Sequence, residues 1–118
     1  MPFTDDGKAI MLNAMRNATT QISLHTADPG TTGANEYAGA GYARVAAVAA
    51  DWDAPATGVV TLNNDKAFTG VALDPLTHFG IWAGATFVGD APITGDSSFN
   101  AAGEFVLKLG SSFDLNGV

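Results

Sequence analysis

The chain contains no cysteine, which excludes a disulfide framework, a thiolate metal site and a thiol nucleophile. Cations are scarce. Lys8, Arg16, Arg44, Lys66 and Lys108 are the five, scattered along a sequence with 12 acidic residues and a net charge of −7. Neutralising successive phosphates takes clustered Lys or Arg, so direct nucleic-acid binding is not expected, and the acidic balance disfavours docking on an anionic membrane. No window approaches the roughly 18 apolar residues of a membrane span. The start, Met1-Pro2-Phe3-Thr4-Asp5-Asp6-Gly7-Lys8, lacks the basic segment and apolar run of a signal peptide, so synthesis in the cytoplasm without a signal peptide is the expectation.

What is present is small and apolar. The hydrophobic fraction is 47% and the charged fraction only 14%, with 14 glycines. A surface this poor in charge suits burial against other chains, so a homo-oligomer or a larger assembly is expected. The 118 residues are read as a single domain, 1–118, with a helix at about 5–18 and a β domain at about 20–118. A chain of this length buries roughly two-thirds of its unfolded surface without metals or disulfides.

Thr4 or Asp5 can cap the helix, with Asp5 and Asp6 at its positive end. Ile10, Met11, Ala14, Met15 and Ala18 form its apolar stripe. The period then changes to two at Gln21–Thr26, a half-buried strand closed by the turn Asp28-Pro29-Gly30. Residues 30–41 read as a loop long enough to be functional or to meet a neighbour. Further strands are expected at 42–50, where alanine also allows helix, and at 58–62, 66–73, 77–82, 86–89 and 104–109. Asn63-Asn64-Asp65 is read as a hairpin turn joining the strands at 58–62 and 66–73. A second long loop covers 95–103. About seven short antiparallel strands and one N-terminal helix predict a mostly β fold, a sandwich or small barrel.

The search for chemistry returns nothing specific. His25 and His78, with Asp28 or Glu36, could hold a metal, but their spacing matches no ligand motif. There is no Gly-x-Ser-x-Gly elbow, no carboxylate pair for glycoside hydrolysis, no EF-hand spacing and no phosphate-cradling loop. Asp51 and Asp53 flank Trp52, an arrangement read as a buried or interfacial tryptophan between two solvated carboxylates. Arg44 suits a charge-assisted bond to Glu36, within the chain before any partner. No catalytic residue, cofactor or metal is assigned.

Two segments carry a more specific signal. Ile22-Ser23-Leu24-His25-Thr26-Ala27-Asp28-Pro29-Gly30-Thr31-Thr32-Gly33-Ala34-Asn35-Glu36, followed by Gly41-Tyr42-Ala43-Arg44, resembles a family of small tailed-bacteriophage virion proteins of the tail-fibre-like or minor tail kind. Leu76-Thr77-His78-Phe79-Gly80-Ile81-Trp82 is similar to a strand of the same family, and Asn100–Leu107 resembles its closing loop and strand more loosely. The resemblance implies a non-enzymatic virion component, working by assembly with major capsid or tail proteins. The shortness of the chain, without shaft or coiled coil, suits a capsid decoration (cement) protein as well as a minor tail protein. The alternative is a host-surface or glycan-binding module of the tail, which would need exposed aromatics. The candidate interface residues are Asp28, Pro29, Gly30, Glu36, Tyr37, Arg44, Trp52 and Trp82.

Overall fold

The computed structural model describes residues 3–18 and 20–115. Helix α1 (Asp5–Asn17) begins where the Thr4 hydroxyl accepts the Gly7 amide at 3.0 Å, and it carries Asp5 and Asp6 in its first turn. Its buried residues are Leu12 and Met15, with Met11 half-buried. The stripe expected from spacing is therefore rotated. Ile10 is 72% exposed, and Ala14 and Ala18 face solvent. Arg16 sets the rotation, because its Nη1 donates to the Trp52 carbonyl at 2.8 Å, a tertiary anchor invisible to periodicity.

Eight strands follow: β1 (Thr20–His25), β2 (Val45–Ala47), β3 (Val59–Thr61), β4 (Lys66–Thr69), β5 (His78–Ala83), β6 (Thr86–Pro92), β7 (Glu104–Leu107) and β8 (Ser112–Asp114). One antiparallel sheet has the order β2-β1-β5-β6, and two antiparallel ribbons pair β3 with β8 and β4 with β7. The fold is mostly β with one helix, and among the described residues the strands do not close into a barrel. In the ambiguous 42–50 stretch only Val45–Ala47 is strand, followed by a 3₁₀ turn at Ala49–Asp51. β8 lies beyond the last strand expected from the sequence.

The expected β3–β4 hairpin does not form. Asn63-Asn64-Asp65 is used otherwise: the Asn63 amide donates to the Asp51 carbonyl, the Asn64 side chain reaches the Asp51 carboxylate, and Asp65 accepts from the Leu109 amide. With the turn residues engaged elsewhere, both strands pair over long range with phenylalanine-bearing partners. Val60 lies opposite Phe113, and Phe68 opposite Phe105, their ring centroids 6.4 Å apart. Lys66 reinforces the arrangement with an ion pair to Asp51 at 2.9 Å, and that ammonium holds the Asp51 carboxyl below its ordinary range.

One apolar cluster joins these parts. Ile22 and Leu24 of β1 and Phe79 and Ile81 of β5 point to the same side of the sheet and are at most 2% exposed. They pack with Leu12 and Met15 of the helix, with Trp52, and with Phe68, Phe99, Phe105 and Phe113. The Phe113 ring occupies the space a side chain on Gly89 of β6 would take, which ties the β3–β8 ribbon to the sheet. With that long-range pairing, Phe113→Ala lowers unfolding free energy by about 3 kcal/mol in urea titration. A β3–β4 hairpin would leave Phe113 peripheral and the substitution nearly silent.

Candidate functional site

The other side of the sheet should be wet. β1 alternates, so Gln21, Ser23 and His25 point away from the core, opposite Trp82, Gly80 and His78 of β5. Yet Ser23 and His25 are fully buried, because residues 26–44 fold back over this face. The loop does more than cover. β2 pairs β1 only at Thr20–Ile22, and beyond that the loop supplies the missing backbone partners. The Tyr37 amide donates to the Leu24 carbonyl at 2.8 Å, the Thr26 amide donates to the Asn35 carbonyl at 3.0 Å, and the Leu24 amide donates to the Tyr42 hydroxyl at 3.0 Å.

Beneath the loop runs a directed hydrogen-bond chain. Ser23 Oγ lies 2.6 Å from His25 Nε2, His25 Nδ1 lies 2.8 Å from the Ala34 carbonyl, and Trp82 Nε1 lies 2.9 Å from Ser23 Oγ. A carbonyl can only accept and an indole N–H can only donate. The imidazole hydrogen is therefore on Nδ1, donating to Ala34. The Ser23 hydroxyl donates to Nε2 and accepts from Trp82. Every donor is matched only while the ring is neutral. Burial keeps the His25 pKa below its ordinary value of 6.5, against the raising influence of the Ala34 carbonyl, Glu36 and Asp90.

A serine within reach of a histidine has the composition of a nucleophile–base pair. Here both groups are sealed under the loop, and the hydroxyl oxygen is taken by Trp82. In this arrangement the pair is a lock for the loop.

Glycine makes the fit possible. A β-carbon on Gly80 would stand 2.7 Å from Ser23 Oγ and 2.8 Å from His25 Nε2. At Gly33, whose φ is +74°, it would run into the Trp82 ring. The indole is enclosed by Gly33, by Phe87 in an edge contact at 5.0 Å, and by the Arg44 guanidinium 3.9 Å above its face. Arg44 in turn forms a two-point pair with Glu36, at 2.9 and 2.8 Å, and Tyr42 donates to the same carboxylate at 2.8 Å. Burial pushes the Glu36 carboxyl up, but Arg44 and Tyr42 outweigh it and hold the carboxyl below its ordinary value of 4.5. Burial and the neighbouring carboxylate both push the Tyr42 phenol up.

The candidate interface residues separate on this frame. Glu36, Arg44 and Trp82 come together, half-buried, in the network just described. Tyr37 is 6% exposed, its hydroxyl accepting from the Val71 amide and donating to Asp74, and it meets Tyr42 edge-on at 5.4 Å. Trp52 is 2% exposed and lies apart, near Arg16 and bridged to Leu62. The Asp28-Pro29-Gly30 turn stands at the loop's outer corner, with Pro29 buried, Asp28 and Gly30 exposed, and the Gly30 amide bonded to Asp28 Oδ1 at 2.9 Å. Neither Trp52 nor Tyr37 offers an exposed ring, so the platform a glycan-binding reading needs is missing at both. Sequence reasoning missed Ser23, Gly33, Tyr42, Gly80 and Phe87. For Ser23 the signal was available, since its alternation with Ile22 and Leu24 places it on the face of His25 and Trp82. Among the described residues, one group of metal-capable side chains comes together, Asp28, His78 and Asp90. No helix there is long and apolar enough to cross a membrane.

A family model described as Podophage GP4 fiber I protein gp80 matches residues 10–110, which include every residue of this network. No curated protein matches the chain.

Two outcomes follow from the buried network. Gly80→Ala, overpacking the Ser23–His25 pair, lowers stability by about 1–3 kcal/mol in thermal or urea unfolding; an unchanged midpoint contradicts the packing. Because the folded state holds Glu36 ionised more strongly than the unfolded chain does, its contribution is present above pH 4.5 and is lost as pH falls through the lowered folded value. Glu36→Gln therefore costs about 1 kcal/mol at neutral pH, and its unfolding curve converges with that of the wild type in acid.

Proposed function

The chain belongs to the podophage fibre protein family, and on that premise we propose that it is a non-enzymatic structural component of the phage tail fibre, acting by protein–protein assembly in the virion. The family match is the observation that carries this reading. It also favours the tail over the capsid-decoration role that length alone allows.

The physical character of the chain supports assembly. The Ser23–His25 pair is sealed rather than presented. β2 and β6 are the edges of the four-stranded sheet, and β6, seven residues long with Val88 39% exposed, offers an edge to a neighbouring chain or a second copy. Leu73 is 70% exposed and sits at a φ of +68°, beside exposed Val71. A branched side chain held in the left-handed region and shown to solvent is a cost that contact with another virion protein would justify. The partners under this reading are other tail proteins and further copies of the chain, with no role for nucleic acid, membrane or an organic cofactor.

Localisation tests the proposal. Immunogold labelling and copy-number determination on purified particles are expected to place the chain at the tail, in a small multiple of the tail's symmetry. Label spread over the head shell in hundreds of copies would overturn the tail assignment and return the capsid-decoration reading.

A further inference from the structure

We propose that Asp28, His78 and Asp90 form a binding site for a divalent transition-metal cation, which pins the Asp28-Pro29-Gly30 turn to the sheet. One potential ligand atom from each residue lies within 4.8 Å of the others. The three come from different places in the chain, brought together by the sheet register. His78 opens β5, directly across from His25 at the end of β1, and Asp28 belongs to the turn that follows. Asp90 of β6 is opposite Gly80, which shares a face with His78 two residues away.

Two of the three ligands, His78 and Asp28, are already positioned. The hydrogen bond between the Thr77 hydroxyl and His78 Nδ1, at 2.8 Å, orients the ring and leaves Nε2 for a ligand, the outer-shell support that ligating imidazoles ordinarily have. Asp28 is fixed by the Gly30 amide on Oδ1 and by the Asn35 side-chain amide on its carbonyl at 3.1 Å, leaving Oδ2 available. Among the described residues, neither Asp28 nor Asp90 is paired with a lysine or arginine. Two carboxylates this close repel each other until a cation joins them. One imidazole and two carboxylates make a mixed nitrogen and oxygen donor set with positions left for water, which suits Zn²⁺ or Mn²⁺ better than Ca²⁺, whose sites are built of oxygen. Asp28 is exposed and the other two half-buried, so an ion can enter from solvent.

The inference is independent of the fibre assignment. A cation here would bind only the folded arrangement, in which the turn and the β5–β6 pair meet, and would stabilise it by mass action.

The test titrates Zn²⁺ into the EDTA-treated full chain by calorimetry, with thermal melting and histidine NMR in parallel. Expected are one Zn²⁺ per chain, a raised Tm, and shifts of the His78 ring signals. Asp28→Asn and Asp90→Asn each weaken binding by about tenfold or more. Asp28→Asn keeps the side-chain oxygen that accepts from Gly30, so loss of binding in that variant is not loss of the turn. Asp96→Asn, on an exposed loop, binds as the wild type does. No heat and no change in Tm, or equal binding by the Asp28 and Asp90 variants, overturns the site. Ca²⁺ bound in preference to Zn²⁺ overturns the role of the imidazole.

Discussion

The structure depends on how the second face of its central sheet is covered. A four-stranded antiparallel sheet needs a partner for its apolar side, and here the helix and two ribbons supply one. The opposite side carries Ser23, His25 and Trp82, polar or amphipathic groups that water could have served. A loop covers them instead, so each must find a partner inside the protein. The chain from the Trp82 indole through Ser23 and His25 to the Ala34 carbonyl meets that demand completely. It is also what holds the loop down. Remove one member, and a buried donor or acceptor is left unmatched, which costs more than the bond itself contributed.

This explains why a 19-residue stretch without regular structure, residues 26–44, can behave as part of the core. Its backbone completes the ladder of β1 where β2 stops, and its side chains enclose Trp82 from above. The glycines at 33 and 80 are needed because rings and hydroxyls fill the volumes their side chains would take. With the loop ordered from within, its corner at Asp28 and Gly30 still faces outward, as do Val88 on the edge strand β6 and the Val71–Leu73 turn.

The strands with clear alternation were legible in the sequence. β1, β5 and the capped helix fall close to where their patterns place them, because local polarity and burial agree there. The failures share a cause. The Asn63-Asn64-Asp65 segment has turn chemistry, but its side chains serve Asp51 and Leu109, and the pairing of β3 and β4 is decided by Phe113 and Phe105, more than 30 residues away in sequence. The helix stripe was misread because Arg16 is anchored by a distant carbonyl. In the site, Glu36 and Arg44 could be paired by charge alone, and that ion pair is present. Trp52, read between its two carboxylates as buried or interfacial, is buried at 2% exposure, whereas nothing local marked Tyr37 as core rather than surface.

Amide hydrogen exchange followed by NMR tests the locked loop most directly. The Leu24, Thr26 and Tyr37 amides and the Trp82 indole N–H are predicted to be protected to the same degree as the β1–β5 ladder, opening only with the sheet. Rapid exchange at those four sites, while the β5 amides stay protected, would contradict the account: the loop would then lie on the sheet without being part of it.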